Sequence, residues 1–130
     1  MATITRFEDL EIWRLSRQLS KEVCAIADRD IFKTDYKLKT QIKGASGSVM
    51  DNIAEGFERE GNAEFKQALY ISKGSAGETR SQLYRAFDQN FINEDELNDL
   101  KSRYEILSVK IKNFIEYLKN TELKGYKYKK

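Results

Sequence analysis

The sequence predicts an all-α domain built as an antiparallel, up-down-up-down four-helix bundle. Three observations point there: apolar residues recur every three or four positions through four long stretches, proline is absent from all 130 residues, and the breaks between stretches are short. A hydrophobic share of 40% supports one packed core at this length, hence one domain. An open or domain-swapped packing of the same helices is the competing assembly.

The first helix is expected at about residues 6–29, where Phe7, Leu10, Trp13, Leu19, Val23, Ile26 and Ala27 form the apolar stripe. Thr5 and Glu8 have the spacing of a capping box. Cys24 reads as a small core residue and Trp13 as a core or interface anchor. Residues 30–35 break the period, and a second helix follows at 36–58 with the stripe Leu38, Ile42, Ala45, Val49, Asn52/Ile53, Gly56 and Phe57. Gly44 and Gly47 each cost up to about 1 kcal/mol in a helix interior. Beside Ala45, Ser46 and Ser48 they point to close approach by another backbone, with a local kink as the alternative.

The third helix, 62–89, follows Glu60-Gly61 with Asn62 as the expected N-cap and repeats Phe65, Leu69, Ser72, Ala76, Thr79, Leu83 and Ala86. Its small middle, Ser72 to Gly77, suits a neighbouring helix. The fourth, 94–120, opens with Asn93 and the acids Glu94, Asp95 and Glu96, which complement a helix N-terminus, and runs through Leu97, Leu100, Tyr104, Leu107, Ile111, Phe114, Ile115 and Leu118. The bundle thus occupies residues 1–120. Residues 121–130 form a basic tail, expected to be disordered on its own.

Composition narrows the chemistry. No histidine is present, which excludes Ser-His-Asp and Cys-His nucleophile systems, zincin helices and Glu-x-x-His di-iron sites. A single cysteine allows no intrachain disulfide and no Cys-rich zinc site. The N-terminus lacks a signal-peptide core, and no run of 18 apolar residues exists. The expectation is a cytoplasmic protein without membrane contact, cofactor, metal or catalytic residues. The net charge of +2 conceals an asymmetry, because Lys119, Lys124, Lys127, Lys129 and Lys130 oppose only Glu122 and leave the rest of the chain slightly acidic.

Two side-chain patterns remain. Gln41, Ser48, Asn52 and Glu55 share one flank of the second helix, where Asn52 and Glu55 are placed to bond across to Ser75, Glu78 or Lys73; a structural polar seam is the economical reading. A catalytic pair of Glu55 and Glu78 would lack a nucleophile or metal. On the third helix Lys66, Tyr70, Lys73, Arg80 and Tyr84 lie one step around from the core stripe. Cations contact phosphates and tyrosines stack on unpaired bases, so this stripe, extended by Lys124, Lys127, Lys129 and Lys130, is a candidate nucleic-acid surface. Tyr and Arg also favour protein interfaces, and a solvated face is the third reading.

The string Gln41-Ile-Lys-Gly-Ala-Ser-Gly-Ser-Val-Met-Asp-Asn-Ile-Ala-Glu-Gly-Phe57 is more specific than any period. With Phe7-Glu-Asp-Leu-Glu-Ile-Trp13, Tyr36-x-Leu38 and Leu69-x-Ile-x-Lys-Gly-Ser-x-x-Glu78, it resembles the four-helix-bundle family encoded in intervening sequences of bacterial 23S ribosomal RNA genes. That family also includes the accessory variability determinant of diversity-generating retroelements. The resemblance spans about residues 7–118, with Asn52-Ile-Ala-Glu-Gly56 its most diagnostic stretch. It implies a left-handed bundle, assembly into a homopentameric ring, nucleic-acid binding, a protein partner in the retroelement relatives, and no enzymatic activity. Two departures stand out. Family members often carry a proline between the helix-two serine and the asparagine, where this chain has Val49-Met50-Asp51, and the retroelement members are markedly more basic. The functional expectation is a non-enzymatic oligomer that binds RNA, DNA or a nucleoprotein partner; the alternative is a protein-interaction scaffold without nucleic-acid affinity.

Overall fold

A computed structural model of the chain describes residues 3–121. Lys124, Lys127, Lys129 and Lys130 of the expected tail lie outside the described residues. Among those described are four α-helices and no β-strand: α1 (Glu11–Ala27), α2 (Tyr36–Glu58), α3 (Asn62–Asp88) and α4 (Glu94–Lys119), with 3-10 turns at Phe7–Asp9 and Asp30–Asp35.

The first helix begins later than its period suggests. Leu10 is extended (φ −77°, ψ 127°) and almost fully buried, so its place in the core breaks the helix between the 3-10 turn and Glu11. The expected Thr5–Glu8 box does not form; Arg6 occupies the cap position without a side-chain hydrogen bond. At α2 the cap is Asp35, whose Oδ1 accepts from the Leu38 amide at 3.1 Å while Oδ2 accepts from Gln89 Nε2 at 2.9 Å. Those bonds hold the Asp35 carboxyl below its ordinary pKa. Glu60 at φ 65° ends α2, and Asn90 at φ 64° ends α3 in a Schellman motif, with Phe91 N–H on Ala86 O at 2.9 Å. Asn62 is not an N-cap. It is the first helical residue, and its amide instead donates to Leu118 O (3.3 Å) and Thr121 O (2.5 Å) at the end of α4. Asn93 forms the capping box with Glu96 that its spacing predicts.

Side-chain contacts order the helices. Along α2 and α3, Gln41 meets Arg85 (3.2 Å), Ser48 meets Ser75 (3.0 Å) and Val49 O accepts from Ser72 Oγ (2.7 Å), so position rises in one helix as it falls in the other. Between α1 and α4 the ion pairs Glu11–Lys110 (3.1 Å), Glu22–Arg103 (2.8 Å) and Arg29–Glu96 follow the same reversed order. One end is filled by Phe32 against Phe91, ring centres 4.8 Å apart, and the other by Phe57, Phe65 and Phe114.

The close backbone approach expected at Gly44 and Gly47 occurs at Gly56. A Cβ there would sit 2.5 Å from Ala68 Cβ and 3.0 Å from Phe65 Cδ1, whereas one at Gly44, Gly47, Gly74 or Gly77 would meet nothing within 4 Å. Gly56→Ala is therefore expected to lower stability by about 1–3 kcal/mol through overpacking. Gly74→Ala should leave stability unchanged or raise it by about 0.4–1 kcal/mol. Urea unfolding of both variants checks the contrast, and equal losses would contradict it.

The α1–α4 ion pairs also set an acid response. Arg103 holds the Glu22 carboxyl below its ordinary pKa by hydrogen bonding, and Arg29 does the same to Glu96. A carboxylate with a depressed folded pKa contributes stability above its unfolded value of about 4.3, lost as pH falls through the folded pKa. Both pairs are partly solvated, so each contributes at most about 1 kcal/mol. Arg103→Ala should flatten the fall in unfolding free energy between pH 5 and 3; an unchanged fall would show that the pair is inert.

Candidate nucleic-acid interface

The core register of α3 turns Phe65, Leu69, Ser72, Ala76, Thr79, Leu83 and Ala86 inward. Lys66, Tyr70, Lys73, Arg80 and Tyr84 then fall on the flank toward α4. Tyr70 and Tyr84 remain 52% and 43% exposed, far more than packed tyrosines such as Tyr104, which is fully buried and whose phenol pKa burial pushes up. Each exposed ring is met from α4 by a lysine: Lys101 Nζ lies 5.6 Å from the Tyr84 ring centre and Lys119 Nζ 5.9 Å from that of Tyr70. Tyr70 and then Glu116 hold Lys119 above its ordinary pKa.

Between the tyrosines, Lys73, Arg80, Glu105, Ser108, Val109 and Lys112 line a hollow of about 210 Å³. A wider, shallow hollow of about 560 Å³ continues past Lys66, Tyr70 and Lys119. Along this α3–α4 groove six cations face two carboxylates, Glu105 and Glu116, and of the six only Lys119 is in an ion pair among the described residues. Arg80 Nε is shut from solvent without a hydrogen-bond partner among the described residues. Buried donors are normally paired. An unpaired cationic stretch of this kind is an anion-attracting surface.

All five α3 residues singled out from the sequence are thus brought to one groove. Lys101 and Lys112 were missed. Their signal was present: 101, 105, 108, 112 and 119 follow in steps of four, three, four and seven around from the α4 core stripe, and only the pairing of α3 with α4 shows that they face the α3 stripe.

The polar seam is rearranged. Gln41 and Ser48 reach α3 through Arg85 and Ser75, but Asn52 turns back on its own helix, donating to Ser48 O at 2.8 Å and Ser48 Oγ at 2.9 Å. Ser48 accepts from Ser75 across the helix pair, and Asn52 one turn away satisfies itself locally. Glu55 is exposed beside Arg59 at 3.9 Å, and the hollow it lines with Glu64 and Gln67 excludes the equally exposed Glu78. The two carboxylates are not assembled into a pair. Among the described residues no group of three His, Cys, Asp or Glu side chains could hold a metal, and no helix is long and apolar enough to cross a membrane.

The family described as 23S rRNA-intervening sequence protein matches residues 8–113, which include α1, α2, α3 and most of α4. The chain belongs to that family. No curated protein matches it. Within this family member Gly56, which closes the stretch Asn52 to Gly56, has a packing role against Ala68 and Phe65 where α2 meets α3. Membership by itself assigns no activity.

Proposed function

We propose that this family member is a non-enzymatic, cytoplasmic, self-assembling helical-bundle protein that binds RNA or DNA along the α3–α4 groove. The observation that carries the reading is the row of cations Lys73, Arg80 and Lys112 between Tyr70 and Tyr84, with Lys66 and Lys101 beside it, none of them in an ion pair among the described residues. Phosphates supply the charge those side chains lack. Lys124, Lys127, Lys129 and Lys130 would add to the same attraction. The reversed contact order of α1 with α4 and α2 with α3 supports an antiparallel up-down-up-down course; left-handedness and a homopentameric ring are proposed from the family resemblance. Self-assembly is supported by Gly44, Gly47, Gly74 and Gly77, whose open flanks leave room for the backbone of another copy.

Labelled ribosomal RNA fragments titrated from low to physiological salt test the reading. The expected result is binding whose logarithm falls by about 0.7–0.9 per log unit of salt for each phosphate contacted. No binding at low salt would overturn it. In that event Ile106 and Val109, exposed on α4 at 54% and 57%, favour the second reading, a protein-interaction scaffold. A monomer by light scattering at micromolar concentration would count against both.

A further inference from the structure

We infer that the groove takes a single-stranded polynucleotide, gripped by base stacking at two points, and not a duplex. This rests on the nucleic-acid reading above and names its substrate class. Tyr70 and Tyr84 are fourteen residues apart on one helix, a rise of ~21 Å, and fourteen residues at 3.6 per turn bring them back to nearly the same side. Both rings are about half exposed and neither belongs to the core; each is met by a flexible lysine of α4, Lys119 at Tyr70 and Lys101 at Tyr84, which a stacking base displaces toward its phosphate. Two aromatic platforms therefore stand at either end of the cationic stretch formed by Lys73, Arg80 and Lys112.

That order, ring then cations then ring, matches a strand whose end bases stack while the phosphates between them meet charge. At the ~3.4 Å spacing of stacked bases the interval takes about six steps, fewer if the strand is stretched. A duplex keeps its base faces inside its own stack, so it meets the cations and gains nothing from the tyrosines. Stacking on tyrosine tolerates any base, so little sequence preference is expected.

The test uses fluorescence anisotropy of the full chain with labelled twelve-nucleotide single-stranded RNA, single-stranded DNA of the same sequence, and a twelve-base-pair duplex. Wild type should bind single strands at least tenfold more tightly than duplex. Tyr70→Ala with Tyr84→Ala should lose at least about 30-fold for single strands, from the loss of two stacked bases, with an unchanged salt slope and little change for duplex. Tyr70→Phe with Tyr84→Phe should retain wild-type affinity, which a role for the hydroxyls would not allow. Equal RNA and DNA affinity supports stacking alone, and an RNA preference adds a contact to the 2′-hydroxyl. Duplex binding as tight as single-strand binding, or an alanine pair that binds single strands like wild type, overturns this inference while leaving salt-dependent nucleic-acid binding intact. Absence of binding to all three probes at low salt overturns both. Should the alanine pair fail to fold, the single-strand to duplex ratio of wild type decides.

Discussion

Phe65→Ala is expected to lower the unfolding midpoint by roughly 10–20 °C. Phe65 is fully buried near the start of α3, its ring edge-on to Phe57 of α2 at 5.9 Å and tilted against Phe114 of α4 at 5.5 Å. Three helices lose a shared contact at once. A buried Phe→Ala change costs about 3–5 kcal/mol, the transfer term plus the cavity left behind. For a chain of this length each kcal/mol corresponds to about 3–4 °C, interpolated between smaller and larger domains. The hole would also remove one of the two groups that confine Gly56, so Phe65→Ala combined with Gly56→Ala should cost less than the sum of the two. Thermal unfolding followed by circular dichroism checks both statements. A Phe65→Ala protein melting within a few degrees of wild type would mean that the aromatic cluster does not tie the helices together.

Lys73→Glu with Arg80→Glu is expected to weaken RNA binding at least about 100-fold. Charge-assisted contacts contribute about 1.5–3 kcal/mol each, and reversal adds repulsion between the new carboxylates, Glu105 and the phosphates. The control is the same change of charge elsewhere. Arg14 and Lys21 flank a separate basic hollow on α1, and Arg14→Glu with Lys21→Glu should reduce affinity far less. If the two pairs weaken binding equally, attraction depends on total charge and the groove has no special part in it. Stability should change little in either variant, because none of the four side chains belongs to the core.

The bundle was legible because its signals are local or periodic. The core stripes of α2, α3 and α4 follow from spacing alone, and the Asn93 box lies within four residues of sequence. The misreadings share a cause. Thr5 and Glu8 have the right spacing, but Leu10 is claimed by the core two residues later. Asn62 has the right chemistry for a cap, but the end of α4 presents two carbonyls to it. Asp35 lies in a stretch whose only sequence signal is a broken period, yet it ties the start of α2 to Gln89 just past the end of α3. In each case a partner distant in sequence outweighs the local pattern. The groove was half legible for the same reason: the α3 half is one helical stripe, while Lys101 and Lys112 join it only through the packing of α4. The glycines were legible as unusual, but only atomic distances separate Gly56, which is crowded, from Gly44 and Gly47, which are open.

If the α3–α4 groove holds phosphates as proposed, the salt dependence of binding reports their number. RNA affinity would be measured over a series of salt concentrations for wild type and for the Lys73→Ala, Arg80→Ala, Lys112→Ala triple variant. With three phosphate contacts removed, the slope of log affinity against log salt should become shallower by about 2, at roughly 0.7 per contact on a single strand. A triple variant with the wild-type slope and affinity would show that the groove holds no phosphate.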